Sequence, residues 1–379
     1  MSVLAAMKLF VERRKSLVAV AAFAVLAVVL VAGCGGGSSS SSSSTSSSGG
    51  ESSESSESGE TADTGSVEVP KLKVAYVEIF LEAPIEKRIN EAFETAAHHV
   101  GWEVDTTDAH GKGQTVAQNF QAAINENVDA IVLGAVEPSL VQPQIKAAKE
   151  AGIPMIAVGG ESHTSPEIDA NYAENDHELS EPLGEQLCEE LEPGAEIAIL
   201  RFDLFLSGKT RGDKIKEMAE ACGLKIVAEP NTEQTFSDAQ AKTSAILTQY
   251  SNLSAIVPVY DTFTSGAAQA IKAANKQEQV DIYSYYADSI NAPLMRANKN
   301  IVGLVDCDCV KESAYAVEGL LALFGEETPL PKTLPKGYIN YEVVTQEDIP
   351  PEGQDGPISI EAAMEPYYKK WDATYKYGS

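Results

Sequence analysis

The groups able to do chemistry in this chain are mostly carboxylates and aromatic rings, and the motifs that first suggest catalysis fail on spacing. Ser207-Gly208-Lys209-Thr210 has the close of a phosphate-binding loop. Such a loop needs a glycine five residues before its second one, so that backbone N–H groups wrap the phosphates. Asp203 stands there and would repel them. Asp176-His177-Glu178 has no Gly-x-Ser-x-Gly elbow to supply a nucleophile. His98 and His99 are adjacent on a helix, about 100° apart, and do not chelate together. The five histidines include no His-x-x-x-His pair, which argues against a zinc hydrolase. Asp306-Cys307-Asp308-Cys309 has ligand types but no second ligand pair at fixed spacing, so no metal and no cofactor is implied. The remaining chemistry is that of a non-covalent binding site rather than an enzyme.

The elements that must position such a site are readable from Lys71 onward. Short β-branched runs alternate with helical periods, the pattern of parallel sheets with crossover helices. Strands are predicted at 72–79, 102–107, 128–134 and 153–158, and helices at 84–100, 114–126 and 139–151. The order then recurs: Ile197-Ala198-Ile199-Leu200, Leu224-Lys225-Ile226-Val227, Ser254-Ala255-Ile256-Val257 and Val280-Asp281-Ile282-Tyr283. The expected fold class is α/β, with two similar Rossmann-like lobes of parallel sheet. Three extended stretches, near 168–173, 301–307 and 338–344, fall where the chain should pass between lobes and predict a three-strand hinge. An amphipathic helix is predicted near 359–375. The expected domains are 71–171 plus 308–336 for the N-terminal lobe and 172–307 plus 337–379 for the C-terminal lobe.

Ahead of the lobes, Lys8, Arg13, Arg14 and Lys15 precede an apolar run from Leu17 to Ala32, followed by Gly33-Cys34. A basic segment, a short apolar segment and small residues at the exit read as a secretory signal over 1–33. A spanning helix would need ~20 apolar residues. Val31-Ala32-Gly33-Cys34 resembles a bacterial lipobox, which implies lipidation at Cys34; a plain signal peptide or uncleaved anchor is the alternative. Residues 34–70, rich in Gly, Ser and spaced Glu, carry too few apolar groups to offset ordering and read as a disordered tether. The chain has net charge −28. Removing residues 1–33, which hold those four cations and Glu12, takes it to −31. That surface repels phosphate backbones, and no nucleic-acid partner is expected. Four cysteines remain after Cys34, with three possible pairings. Cys188–Cys222 is favoured because the two lie near the ends of helices flanking one strand. Cys307 and Cys309, two apart on a predicted strand with Cα atoms ~6.5–7 Å apart, sit at the edge of disulfide reach.

The leader, the repeated lobes and the crossings together resemble the sugar-type (type I) periplasmic binding proteins, the solute-binding subunits of ABC importers, over residues 71–346. Lys73-Val74-Ala75-Tyr76 with Pro84, Val128 to Gly134 with Glu137-Pro138, Ala148 to Ile156, Arg211-Gly212 and Asp261 carry the likeness. It implies an extracytoplasmic, lipid-anchored protein, a monomer, that closes two lobes on a small polar ligand (a sugar, polyol or related solute) and delivers it to permease subunits. A ligand-sensing receptor subunit for a membrane kinase or chemoreceptor is the alternative. Positions where sugar-binding members tend to carry Asp-Arg, Arg, Asn and Gln hold Gly159-Gly160, Lys209, Tyr260 and Cys307 here. Ligands of open α/β sheets sit beyond the carboxyl ends of the strands. That rule nominates Phe80, Glu82, Glu137, Gly160 and, from the second lobe, Phe205, Lys209, Tyr260, Asp261, Tyr286 and Asp288, with Asp306 approaching from the hinge. Glu78, Gly159, Glu161 and Phe202 flank them. The surplus of carboxylates suits a cationic or polyhydroxyl ligand better than an anion.

Overall fold

Ala130-Ile131-Val132-Leu133-Gly134 has no polar side chain, a composition tolerated only in a strand covered on both faces. In the computed structural model, which describes residues 67–160, 166–233 and 235–378, this run is β4 (Ala130–Gly134), the middle of a five-stranded parallel sheet. Numbered in chain order after β1 (Val67–Val69), its strands are β2 (Lys73–Glu78), β3 (Glu103–Asp108), β4, β5 (Met155–Val158) and β6 (Ala170–Asn171), in the order β3-β2-β4-β5-β6. Three helices supply the crossovers: α1 (Pro84–His99), α2 (Gly113–Asn125) and α3 (Gln142–Ala151). Pro84 opens α1, where its missing N–H costs nothing. Gly152 closes α3 at φ 75°, the left-handed conformation that glycine adopts without a Cβ clash.

The second lobe repeats the plan. Strands β7 (Glu196–Leu200), β8 (Lys225–Ala228), β9 (Leu253–Pro258), β10 (Asp281–Tyr285), β11 (Ile301–Cys307) and β12 (Tyr341–Val344) stand in the order β12-β11-β10-β9-β7-β8. All pair in parallel except β12, which runs antiparallel to β11. Helices α4 (Asp176–Glu190), α5 (Leu206–Ala221), α6 (Phe236–Gln249), α7 (Asp261–Ala273) and the short α8 (Asn291–Ala297) cover it. In each sheet the first strand of the lobe lies between the second and third, so the direction of winding reverses beside it. An apolar core under α2 and α3 belongs to lobe 1 alone. A second core runs from Tyr76 and Phe93 of lobe 1 to Ile256 and Tyr283 of lobe 2, so the lobes share buried surface on the hinge side.

The chain passes between lobes at 172–175, at 308–309 and at 326–340; the stretches predicted to cross, 168–173, 301–307 and 338–344, instead hold the sheet strands β6, β11 and β12, and the passages lie beside them. A fourth passage follows β12. Helices α9 (Val310–Gly325) and α10 (Ile360–Thr374) both lie on lobe 1 against α1. The assignment of all of 337–379 to the C-terminal lobe is therefore corrected: β12 belongs there, but α10 does not. Ala363, Met364 and Trp371 are the buried side chains of α10, and Trp371 Nε1 donates to Glu318 on α9 at 3.2 Å. After α10, β13 (Tyr375–Tyr377) pairs in parallel with β1. Residues 67–69, placed in the tether by the sequence, are thus a strand. The signal, Cys34 and the rest of the tether lie outside the described residues, as does Glu161. Among the described residues no helix is long and apolar enough to cross a membrane.

Cys188 of α4 and Cys222 at the end of α5 form a disulfide, Cα atoms 5.9 Å apart, as favoured from the sequence. Cys307 and Cys309 are also paired, with Cα atoms 5.1 Å apart. The strand ends at Cys307, and Cys309 has already turned helical (φ −59°, ψ −23°) as the cap of α9. That turn shortens the span the sequence reading expected of a continuous strand.

Candidate functional site

Beside the reversal point of each sheet, the loops leaving neighbouring strands diverge and leave a crevice. In lobe 1 the loops after β2 and β4 flank it, and in lobe 2 those after β7 and β9. The two crevices face one another across a cavity of about 50 Å³ lined from lobe 1 by Ile79, Phe80, Ala83, Ile85, Glu86, Ala135, Val136, Glu137 and Gly160, and from lobe 2 by Phe205, Ser207, Arg211, Tyr260, Asp261 and Tyr286. It adjoins a wider mouth of about 770 Å³ with which it shares Ile79, Phe80 and Phe205. The lobes touch at the rim, where Leu206 N, opening α5, donates to Glu137 Oε1 at 3.3 Å.

Lobe 1 brings carboxylates. Glu78 ends β2 fully buried, and its Oε1 accepts from Ile79 N (2.8 Å) and Phe80 N (3.1 Å), which folds the loop back. Burial pushes its carboxyl up to about 7. Gly134 on the next strand leaves room for that side chain, because a Cβ there would collide with Glu78 Oε2. Glu86, in the first turn of α1, has a buried Oε2 with no hydrogen-bond partner. Burial, reinforced by Glu78, Glu174 and Asp261, holds it well above the usual carboxylate range. Gly159 N donates to Glu312 Oε2 at 2.8 Å, and burial beside Glu174 raises Glu312 in the same way.

Lobe 2 brings one guanidinium and a set of rings. Arg211 on α5 is 2% exposed. Its Nε donates to Asp176 Oδ1 (2.5 Å), Nη1 to Val259 O (3.4 Å), and Nη2 to Glu174 Oε1 (3.4 Å) and to the Tyr286 hydroxyl (2.6 Å). Tyr260, Tyr285 and Tyr286 present ring faces to it at 4.9, 4.9 and 5.0 Å. A desolvated cation over several rings gains from their quadrupoles as well as from its carboxylates. The Ser207 and Tyr260 hydroxyls bond one another. Asp261 begins α7 with its Oδ1 on Thr262 N at 2.7 Å. Asp288 lies against it, raised well above its ordinary value by burial and by Asp261.

Of the residues nominated from sequence, Phe80, Glu137, Gly160, Phe205, Tyr260, Asp261 and Tyr286 come together on the cavity wall. Four lie elsewhere. Glu82 is on the exposed side of its loop, 2.6 Å from His110 Nδ1. Lys209 points to solvent and pairs with Asp213. Asp288 is buried behind Asp261 rather than on the wall. Asp306, with no exposed surface, is a hinge group: it pairs with Arg88 of α1 at 2.8 Å and accepts from Ala287 N and Cys307 N. The sequence reading missed Glu86 and Arg211. Glu86 follows Pro84 in the first turn after a strand end, a position that could have been nominated. Arg211 was named only among the residues that carry the family likeness.

Residues 77–327 match the family described as "Periplasmic binding protein domain". The chain is 26% identical to the D-ribose/D-allose-binding protein of Pseudomonas aeruginosa over 235 residues, 59% of this chain and 71% of that one. It is also 26% identical to the xylitol-binding protein of Mycolicibacterium smegmatis over 189 residues, 49% of this chain and 54% of that one. The solved 5-methylthioribose transporter solute-binding protein of Thermotoga lettingae shares the fold, with a TM-score of 0.65 at 22% identity, covering 73% of this chain and 87% of that one. These relatives are named as binding proteins, not enzymes, and the family works outside the cytoplasm. With both lobes wound alike about one shared cleft, the chain belongs to the type I, sugar-type periplasmic binding proteins.

Proposed function

We propose that this protein is the extracytoplasmic substrate-binding subunit of an ABC importer, capturing a small sugar or polyol between its lobes and presenting the closed form to permease subunits. The observation that carries this reading is the meeting of the two crevices on one cavity. A ligand there touches both lobes only when they are together, and that difference in contact is what favours closure. Aromatic rings from both lobes supply flat apolar faces for a sugar ring, and carboxylates supply acceptors for its hydroxyls. The inner cavity is small, so entry requires the lobes to part toward the mouth. No step makes or breaks a covalent bond. The names of the ribose/allose- and xylitol-binding relatives support a sugar-like ligand. The lipobox-like Val31-Ala32-Gly33-Cys34 supports a lipid anchor at Cys34, which would raise the local concentration of the protein beside its permease.

A thermal-shift screen over pentoses, hexoses, alditols and cyclitols, followed by calorimetric titration, tests the reading. Ligand at a hundred times its Kd should add ~2.7 kcal/mol. Over some 310 residues at about 2.1 cal/mol/K each, that is a rise of about 4 °C. No rise with any compound would refute it. Replacing Cys34 by Ala and following the protein from the membrane fraction to the soluble exported fraction tests the anchor.

A further inference from the structure

The cleft is one-sided in its hydrogen bonding. Among the described residues Arg211 is the sole cation lining the inner cavity, and each of its three nitrogens is already engaged within the protein. The Ser207 and Tyr260 hydroxyls bond one another, which leaves one O–H donor between them, and the Tyr286 hydroxyl sits between Arg211 and Glu174. Among the described residues no Asn, Gln, Lys or His lines the inner cavity, and the Asn231 and Lys242 of the wider mouth pair with Asp203 and Asp238. Lys209, a donor two residues from Arg211, is turned away onto Asp213. Facing the space are carboxylates and aromatic rings, and the Glu86 Oε2 among them is sealed from solvent without a partner.

A neutral polyol asks for both donors and acceptors, since each hydroxyl is both. An ammonium group is three donors and no acceptor. It is also drawn to the faces of aromatic rings. We propose that the cleft prefers a sugar or polyol carrying a primary amine over its neutral counterpart, with Glu86 receiving the ammonium group. This rests on the binding-protein reading above and names the ligand class within it. Burial holds the Glu86 carboxyl well above the usual range, with Glu78, Glu174 and Asp261 adding to the shift and Arg211 opposing it, which favours the protonated form. An arriving ammonium takes the place of that proton, which leaves for the buffer.

The test is calorimetric titration of the full-length protein with two matched pairs, D-glucosamine against D-glucose and 1-amino-1-deoxysorbitol against sorbitol. The amine member of at least one pair should bind about tenfold or more tightly than its neutral partner, the size of one charge-assisted hydrogen bond. Repeating the titration in buffers of different ionisation enthalpy should show proton release for the amine and none for the neutral compound. Glu86→Gln should remove the preference, bringing the amine's affinity to within about threefold of its neutral partner's in the same variant. Because proton release is read on the unaltered protein, the result stands even where that variant fails to fold. Neutral compounds binding as tightly as the amines, or an amine preference that survives Glu86→Gln, would overturn the proposal and leave the sugar-binding reading intact. No binding by any of the four would overturn the proposal, while the sugar-binding reading is decided by the wider screen.

Discussion

Replacing Arg88 by Leu tests whether the hinge is held by one buried ion pair. Arg88 on α1 is 3% exposed and Asp306 on β11 has no exposed surface. The pair, at 2.8 Å, joins a lobe 1 helix to the lobe 2 strand from which the chain crosses back. Arg88 Nη2 also reaches Cys307 O at 3.4 Å. Removing the guanidinium leaves the Asp306 carboxylate buried with only two backbone donors, Ala287 N at 2.7 Å and Cys307 N at 2.6 Å. Breaking a buried pair in this way costs about 3–5 kcal/mol. With an unfolding entropy near 2.1 cal/mol/K per residue over some 310 residues, the midpoint should fall by about 5–8 °C. The assay is calorimetry and urea unfolding of the wild type, Arg88→Leu, Asp306→Asn and the double variant. The double variant should be less destabilised than the sum of the singles by about 2 kcal/mol or more, since it no longer buries an uncompensated charge. A single variant within about 1 kcal/mol of wild type, or additive singles, would refute the reasoning, because surface pairs behave that way.

Three further outcomes follow from the geometry. Glu78 is raised from 4.5 to about 7 by burial, so its contribution to stability is fully present below pH 4.5 and is lost as pH rises through about 7. Glu78→Gln should flatten that part of the curve, and urea midpoints measured at pH 4.5 and pH 8 should then lie closer together than in the wild type. Opening the Cys188–Cys222 bridge with paired alanines releases a loop with a sequence separation of 34. By loop entropy that costs about 3.8 kcal/mol, to be read as a lowered denaturation midpoint under non-reducing conditions. Glu137→Ala removes the rim contact to Leu206 N, made only when the lobes are together. It should weaken binding of whichever ligand the screen finds by about five- to tenfold, with little change in the stability of the free protein.

The sheets were legible because strands covered on both faces must be continuous apolar runs, and those runs recur in the same order in both halves. Three crossings were legible only by their neighbourhood, since the extended stretches left over after the repeat include the sheet strands β11 and β12, with the passages beside them. The fourth was not. The buried face of α10, with Ala363, Met364 and Trp371, shows an amphipathic helix but carries no signal of which lobe it covers. At the site, the strand-end rule reached the loops but not the helix face that follows. Lys209 and Arg211 are two residues apart, about 200° around the helix. One therefore meets solvent and Asp213 while the other is buried among rings and carboxylates. Nothing in the spacing alone distinguishes the two. Asp288 was nominated beyond a strand end and Asp306 as approaching from the hinge, yet both point into protein, where backbone N–H groups and Asp261 or Arg88 claim them.

The pairing of Val67–Val69 with Tyr375–Tyr377 puts the entry and the exit of the described chain side by side on lobe 1. Any pull or cargo applied ahead of Val67 or beyond Gly378 acts on that lobe, leaving lobe 2 as the part that swings. A pair of fluorescent labels placed near the two ends would therefore report a constant distance however wide the cleft opened. A sensor built from this protein needs one of its labels on an exposed lobe 2 position such as Lys225, whose sheet edge moves relative to both ends.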